Sequence, residues 1–299
     1  MTKLFILSEC RESASIDESA LSYAKRELGA AVAHFATERA ADILVDGRPD
    51  VVVYRSTLNR ERMLSDETLR WIKSKARLVL WCSESSSPNY ANLLRHYRDE
   101  RLFDFSVGTD GGDTDLVDWN TLWPCDPDWY AEDGRNARTL NEFVEGKPAR
   151  DINLGFGGSI GDDRKPLIQS FGDVLTVRER KAGNSEEFDS YGSYAAWLMR
   201  CRAVVNDATL DGGYAVKNRV IEAGLARCLL FEMQQSNLFR WGLHPGVDYL
   251  AYRHPDNVLA VTEIPEFLEI AAAFGERLRR KVAAFHPSKF WSRILGSTT

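Results

Sequence analysis

Two glycine-containing stretches in the second half of the sequence have residue types that suit an anionic ligand. The first, Gly157-Gly158-Ser159, follows an apolar run and precedes Arg164. Glycines let the backbone approach a ligand closely, and free N–H groups at the next helix can hold a phosphate. The stretch fits neither GxGxxG nor the GxxxxGK[ST] P-loop, so it favours neither a dinucleotide dehydrogenase nor an NTPase. An ordinary strand-to-helix turn is the alternative.

The second stretch follows Gly212-Gly213 and contains Lys217, Arg219 and Glu222. Helical spacing places the two cations in the first turns of a helix and the carboxylate one turn further on. Cations in this position suit a diphosphate, and the carboxylate could accept hydrogen bonds from ribose hydroxyls. An exposed amphipathic helix with an ion pair between Arg219 and Glu222 is the alternative.

The sequence predicts no metal centre. Its five cysteines and five histidines are dispersed, with no CxxC pair and no metal-ligand spacing. Asp126-Pro-Asp128 has the spelling of an Asp-x-Asp metal motif, but it lies in an aromatic-rich turn just before a polar segment. We therefore expect the charge of any bound phosphate to be met by side chains and backbone N–H groups.

The elements that must position these residues alternate between strand and helix, which predicts βαβ units and parallel sheets. One long helix is expected over 16–39, from apolar residues at helical spacing. A polar segment over 131–150 is the best candidate for an interdomain linker. The strands are predicted at 3–7, 51–54, 76–81, 103–107, 151–156, 173–177, 203–206, 228–231 and 249–252.

Composition sets the class of protein. The chain has 299 residues, of which 44% are hydrophobic and 27% charged, enough for two packed cores. A mean hydropathy of -0.34, with no long apolar run, excludes a membrane-spanning protein. A net charge of -6 disfavours a protein held to nucleic acid by its overall field. The apolar start is too short for a signal-peptide core, so we expect a cytoplasmic location.

Over residues 152 to 295, the chain resembles the donor-binding half of the group 1 glycosyltransferases with the GT-B fold. It is most similar to their CgeB-like branch, the spore-maturation-protein-like enzymes. Less of the first half matches. The matching pieces occur in the expected order, and they are Gly157-Gly158-Ser159 with Arg164 nearby, residues 194–206, Lys217-Asn-Arg219-Val-Ile-Glu222, and Leu243-His-Pro-Gly246-Val-Asp248-Tyr-Leu-Ala-Tyr252.

The resemblance implies two Rossmann-like α/β domains that face each other across a cleft. Residues 1–135 would form the acceptor-side domain, 136–150 the linker, and 151–299 the domain that binds a nucleoside-diphosphate sugar. No metal or other cofactor would be required. The acceptor stays open between a glycan, a lipid, a protein, a small molecule and a modified nucleobase.

The resemblance also assigns roles within the donor site. Glu222 would hold the ribose, while Lys217 and Arg219 would neutralise the diphosphate leaving group. The backbone amides of Gly157, Gly158 and Ser159 would approach the phosphates or the sugar, with Arg164 nearby. His244, in the Pro-Gly loop, could touch the donor, although a surface histidine is as good an explanation.

An inverting enzyme would need a catalytic base from the first domain. Glu84 and Asp110 are the best candidates, since each is a carboxylate just beyond an apolar strand. A solvated loop or a helix cap is the alternative for both. Many retaining members of the wider group carry a second glutamate where this chain has Gly213-Tyr214, so the stereochemical outcome stays open.

Two other functions stay open at this point. One is a catalytically degenerate protein that binds a nucleotide sugar, motivated by the missing glutamate. The other is an epimerase or hydrolase built on the same fold. Turnover with a bound donor, and products formed without an acceptor, would distinguish them.

Overall fold

A computed structural model describes most of the chain, and its internal contacts divide it into two compact units. The first comprises Met1–Pro124 with Pro287–Thr299, and the second comprises Cys125–His286. None of the described helices has the length and apolar character needed to cross a bilayer. The described residues are 2–8, 15–34, 38–56, 63–112, 114–131, 143–144, 147–148, 150–158, 160–162, 164–179, 191–207, 216–234 and 236–296.

The first unit is built on a parallel sheet whose strands alternate with helices. The elements are β1 (Leu4–Ser8), α1 (Ser15–Glu27), β2 (Ala31–His34), α2 (Glu38–Val45), β3 (Val51–Ser56), α3 (Asp66–Lys73), β4 (Arg77–Cys82), α4 (Ala91–Asp99), β5 (Phe105–Gly108) and β6 (Trp119–Asn120). The six strands have the order β2-β1-β3-β4-β5-β6. β1, β3 and β4 are buried almost throughout, which explains their continuous apolar sequences.

The single helix predicted over 16–39 is wrong. α1 ends at Glu27, Gly29 adopts a left-handed φ of 63°, and the chain then enters β2. β2 pairs with β1 in parallel, with Ala31 opposite Phe5. The alanines and valine of this strand fit helical spacing as well as strand spacing, so periodicity alone could not separate the two structures. The parallel pairing with β1 shows that residues 31–34 form a strand.

The second unit repeats the same plan with a smaller sheet. Its elements are β7 (Phe143–Val144), β8 (Lys147–Pro148), β9 (Ile152–Gly158), α5 (Lys165–Ser170), β10 (Thr176–Glu179), α6 (Tyr191–Arg200), β11 (Cys201–Asn206), α7 (Arg219–Leu225), β12 (Leu229–Met233), β13 (Leu250–Tyr252), α8 (Pro255–Thr262) and α9 (Phe267–Val282). Five parallel strands have the order β10-β9-β11-β12-β13, and β7 pairs with β8 in an antiparallel ribbon.

Two glycines let α7 and α9 pack closely. A Cβ atom on Gly224 would lie 2.6 Å from Cγ2 of Val282, and one on Gly275 would overlap the carbonyl of Arg227. Side chains at these positions would push the helices apart, because buried methyl and carbonyl groups have no room to move. The carboxyl end of α7 is therefore held closely against α9, while Arg219 begins the helix at its other end.

A last helix, α10 (Pro287–Leu295), belongs to the first unit. The rings of Phe290 and Trp291 lie 5.1 and 5.8 Å from that of Trp81. Nη1 of Arg77 donates to the carbonyl of Ile294 at 2.6 Å. The sequence placed these residues with the second domain, and ten of the fifteen residues of the expected linker, 136–150, lie outside the described residues. The division into an acceptor-side and a donor-side domain stays a prediction.

Replacing Trp291 should therefore destabilise the first unit. Trp291→Ala removes a fully buried side chain and should lower the free energy of unfolding by about 3–5 kcal/mol. Trp71 is 42% exposed, and Trp71→Ala should stay within about 0.5 kcal/mol of the wild type. Urea unfolding of both variants measures the difference. Equal, small effects would show that α10 is not part of this core.

Candidate functional site

In the second unit, the strands added after β10 lie on the other side of β9. β10 flanks one side of β9, and β11, β12 and β13 follow in turn on the other. Such a switch point opens a crevice beyond the carboxyl ends of the two central strands, where ligands of open parallel sheets bind. β9 ends at Gly157 and Gly158, and β11 ends at Asn206, next to Asp207. The predicted glycine turn therefore lies at the switch point.

The two glycines are required by packing as well as by any ligand. A Cβ on Gly157 would lie 2.7 Å from Cζ3 of Trp197 and 2.8 Å from Cε2 of Tyr194, and one on Gly158 would overlap the guanidinium of Arg219. Larger residues would displace α6 or Arg219. Ser159, the third residue of the predicted turn, lies outside the described residues.

Arg219, the first residue of α7, points into the protein. Its Nε and Nη2 both donate to the carbonyl of Gly157, at 3.0 and 2.5 Å, and its Nη1 donates to Oδ1 of Asn206 at 2.8 Å. The guanidinium carbon lies 4.3 Å from the ring centroid of Phe156. The side chain thus joins the ends of β9 and β11 to α7. Its contact with a diphosphate stays a prediction.

The other predicted cations of the donor site lie at the same edge. Arg164, directly before α5, forms an ion pair with Asp207, with 3.3 Å between Nε and Oδ2 and both side chains nearly buried. Lys217 is half-buried, two residues before α7, and its carbonyl accepts from the N–H of Val220. The fold therefore brings Arg164, Lys217 and Arg219 to one side of the sheet.

Glu222 lies at the centre of a buried group of phenols. It is 2% exposed, and its two oxygens each accept a hydroxyl at 3.0 Å, from Tyr191 and from Tyr194. The hydroxyl of Tyr191 also lies 2.6 Å from that of Tyr130 and 3.2 Å from Sγ of Cys125. The carboxylate therefore joins α6 and α7 to the turn at Pro127–Tyr130. A ribose could reach it only if a tyrosine moved.

The exposed amphipathic helix, considered for this stretch, is wrong. Arg219 is 8% exposed and Glu222 is 2% exposed, and each contacts other groups. Residues 219–224 of α7 are all buried, so the helix has no solvated face there. The helical period correctly gave the spacing of the two charges, but only their packing partners determine the direction in which they point.

Glu232 is a buried carboxylate that sequence reasoning missed. It lies opposite Asn206 in the register of β11 and β12, and its Oε2 accepts from Nδ2 of that amide at 2.7 Å. Burial raises the pKa of Glu232 to about 7, against the opposing effects of Asn206, Arg219 and Ser236. The available signal was a glutamate inside the apolar run Leu229–Met233.

In the first unit, the two candidate bases follow neighbouring strands at the same edge of the sheet. Asp110 is 3% exposed, and it accepts hydrogen bonds from Ser85 Oγ, Ser86 N, Ser86 Oγ and Gly112 N, at 2.8, 2.7, 2.7 and 3.2 Å. These bonds join two loops and occupy the lone pairs that a base would use. Glu84 is half-buried and is therefore the better candidate.

His244 is exposed in the Pro-Gly loop. Its N–H donates to Oδ2 of Asp248, and its carbonyl accepts from the N–H of Asp248, both at 2.9 Å. Within the described part of the chain, its ring forms no hydrogen bond or ion pair with another predicted site residue. Its contact with a donor stays a prediction.

The described residues contain no group of three His, Cys, Asp or Glu side chains that could hold a metal ion. Asp126 is fully buried, and its Oδ1 caps the next turn by accepting from the N–H of Asp128 at 3.1 Å. The Asp-Pro-Asp sequence is therefore a turn in which one carboxylate holds the backbone. Metal independence stays a prediction.

Comparison with known proteins rests on structure alone, since neither a protein-family model nor a curated protein sequence matches the chain. HepE from Anabaena, in complex with UDP-glucose, is similar with a TM-score of 0.65 and 11% identity over 99% of both chains. Sucrose-phosphate synthase from Thermosynechococcus elongatus has a TM-score of 0.59 and 11% identity, over 99% of this chain and 100% of that one.

A third similar structure is AviGT4, a glycosyltransferase involved in avilamycin A biosynthesis. Its TM-score is 0.54 at 13% identity, over 99% of this chain and 96% of that one. The fold is GT-B. The prediction of two Rossmann-like α/β units is confirmed by the two parallel sheets and by these likenesses.

The raised pKa of Glu232 predicts a pH dependence of stability. The folded state holds this proton more tightly than the unfolded state, so the stabilisation is complete below pH 4.5 and is lost as the pH rises towards about 7. Between pH 5 and 8 the loss should be on the order of 2 kcal/mol, since each pKa unit corresponds to about 1.4 kcal/mol. Urea unfolding at several pH values should show a decline in wild type that is absent in Glu232→Gln.

Asp151→Asn provides the control for this measurement. Asp151 is half-exposed, and its pKa is lowered by the hydrogen bond from Arg200, so its own contribution is lost only at lower pH. The variant should keep the decline of the wild type. A parallel pH dependence of Glu232→Gln and wild type would contradict the raised pKa.

Proposed function

We propose that this protein is a glycosyltransferase of the CgeB-like branch, which transfers a sugar from a nucleoside-diphosphate sugar to an acceptor. The observation that carries the proposal is the GT-B fold over 99% of the chain, shared with HepE in complex with UDP-glucose. The donor would bind at the switch point of the second unit, beyond β9 and β11. The first domain would hold the acceptor, whose class is left open.

The cations at the switch point support binding of a diphosphate. Arg164 lies directly before α5 and pairs with Asp207 at the end of β11, and Lys217 lies two residues before α7. Charge-assisted hydrogen bonds to phosphate are about twice as strong as neutral ones. Arg219 would contribute through its positive charge, which lies next to the Gly157-Gly158 turn and raises the electrostatic potential there.

The chemistry would need charge stabilisation at one atom and proton removal at another. When the bond between the sugar carbon and the diphosphate oxygen breaks, negative charge builds on the leaving group, and Lys217 and Arg164 would stabilise it. The acceptor's nucleophile forms the new bond to the sugar carbon and loses its proton. Glu84 would take that proton in an inverting reaction. Whether the reaction inverts or retains is left open.

The role of Glu222 as the ribose ligand is part of this proposal. Glu222 is 2% exposed and accepts the hydroxyls of Tyr191 and Tyr194, so donor binding would have to move at least one of these tyrosines aside to expose the carboxylate. The same observation favours an alternative function, a degenerate protein that binds a nucleotide sugar without turning it over. In that case Glu222 would serve only to hold α6 and α7 together.

A thermal-shift screen tests donor binding directly. UDP, GDP, ADP, CDP and dTDP should be compared, and the matching nucleotide at 100 times its Kd should stabilise the protein by about 2.7 kcal/mol. Because both Arg164 and Lys217 face phosphate, the corresponding nucleosides should give no shift. A flat response to all five diphosphates would contradict the proposed donor site.

Substitution of Lys217 separates turnover from binding. Lys217→Ala should slow donor cleavage by roughly 100-fold with a smaller effect on the Kd of the nucleoside diphosphate, since charge develops mainly in the transition state. Release of the nucleoside diphosphate measures the rate, in EDTA as well as in Mg²⁺, and both conditions should agree. Lys281→Ala, on an exposed helix end, is the control. Binding without turnover in the wild type would favour the degenerate protein.

A further inference from the structure

A line of hydrogen bonds crosses the carboxyl ends of β12, β11 and β9. Oε2 of Glu232 accepts from Nδ2 of Asn206 at 2.7 Å, and Oδ1 of the same amide accepts from Nη1 of Arg219 at 2.8 Å. Arg219 then donates twice to the carbonyl of Gly157. The side chains of Glu232, Asn206 and Arg219 belong to residues that are 1, 1 and 8% exposed. Water therefore has little access to the line.

Glu232 determines which end of the Asn206 amide faces Arg219. The amide of Asn206 has one donating end and one accepting end, and an ionised carboxylate only accepts. It therefore attracts Nδ2 and leaves Oδ1 facing the guanidinium. A reversed amide would place its NH₂ against Nη1 of Arg219, so that two donors would face each other and the amide oxygen would face the carboxylate. The carbonyl of Asn206 is held separately, since it accepts the hydroxyl of Tyr252 at 2.9 Å.

We propose that Glu232 is a positioning residue for the donor site, which acts through Asn206 and Arg219 on the turn at Gly157 and Gly158. The proposal rests on the proposed function for its consequence, because the turn and the charge of Arg219 are what a diphosphate would meet. Glu232 itself touches no donor. Its ionisation changes how firmly Arg219 is held and how positive the switch point is.

The charged and titratable groups around Glu232 come from each element packed against it. Arg219 lies on α7, Asp207 follows β11, Tyr252 is the last residue of β13, and Tyr249 directly precedes that strand. The two phenols have raised pKa values through burial, so they stay neutral around pH 7. Asp207 is paired with Arg164. Protonation of Glu232 therefore removes a negative charge close to Arg219 and makes the switch point more positive.

This change in charge predicts how the affinity for a diphosphate depends on pH. A diphosphate should bind more tightly below pH 7, where Glu232 is protonated, than above it. A unit charge about 10 Å from the ligand in a partly solvated crevice changes affinity by roughly fivefold. UDP-glucose is the probe, because its diphosphate carries two blocking groups and does not titrate between pH 5.5 and 8.5.

The first experiment measures, without any ligand, how the amide signal of Gly157 responds to the ionisation of Glu232. The sequence has three Phe–Gly peptide bonds, at 156–157, 171–172 and 274–275. Labelling with ¹³C-carbonyl phenylalanine and ¹⁵N-glycine therefore isolates three amide signals, one of which is Gly157. The Gly157 signal should move with a midpoint near pH 7 in wild type, while those of Gly172 and Gly275 stay still.

Three variants locate the source of the signal. Glu232→Gln keeps the shape and removes the titration, so the Gly157 signal should become independent of pH. Asn206→Ala leaves Glu232 able to titrate but removes the hydrogen-bonded connection, so the shift of the Gly157 signal should become much smaller. Asp151→Asn, at the amino end of β9, should behave as the wild type. A Gly157 signal that titrates with the wild-type amplitude in Asn206→Ala would overturn the line, and one that is flat in wild type would overturn the proposal.

The second experiment measures the Kd of UDP-glucose by calorimetry at pH 5.5, 7.0 and 8.5. The wild type should weaken by about fivefold across this range, and Glu232→Gln should stay constant at the tighter value. A merely structural role would lower the thermal stability of Glu232→Gln and leave the pH profile of the Kd unchanged.

The two experiments separate the two proposals. Titration of Gly157 without any nucleotide binding would support the line and contradict the proposed function. UDP-glucose binding with identical pH profiles in wild type and Glu232→Gln would support the proposed function and overturn the role of Glu232.

Discussion

The carboxyl edge of the second sheet depends on one buried charge, the guanidinium of Arg219. A charged group taken out of water costs several kcal/mol unless hydrogen bonds and opposite charge replace its hydration. The carbonyl of Gly157, the amide of Asn206 and the nearby Glu232 supply them. Each of these residues is therefore constrained. Gly158 must also lack a Cβ atom, since one would displace the guanidinium.

The same principle governs the other charges at the sheet edges. Glu222 is satisfied by two phenols, and Asp110 is satisfied by two serines and a backbone N–H. In the first unit, the guanidinium of Arg55 lies 5.2 Å from the ring centroids of both Trp81 and Trp123. These charges hold strands, helices and loops together at the edges where ligands of such sheets bind.

The most buried polar residues therefore form the frame of the sheet edges. Among the described site candidates, Lys217 and Glu84 are half-buried. Neither lies in a strand or a regular helix, since each follows or precedes one by a residue or two. Placing reactive groups on short connections next to rigid strands is typical of α/β proteins, because the sheet fixes the position while the loop leaves the side chain exposed.

Most of the strands could be predicted from the sequence, because burial constrains which residues they contain. Val51–Ser56 and Arg77–Cys82 were recognisable because a strand buried on both faces must be apolar throughout. The glycine pair and the start of α7 were expected at one edge of the sheet, and the structure places them there, since parallel strands all end on one side. The sequence could not separate β2 from a helix, because the same small residues suit both structures.

Which polar groups face one another depends on tertiary packing and could not be predicted from the sequence. Arg219 and Glu222 were correctly spaced on one helix, yet their partners, Gly157 and Tyr191, are 62 and 31 residues away. The role proposed for Glu232 depends on Asn206, which lies opposite it on the adjacent strand β11. The spacing of residues along the sequence determines where each residue lies on its helix or strand. The direction and the charge state of its side chain depend on groups that are distant in sequence, because desolvation and hydrogen bonding act only between atoms that packing has brought into contact.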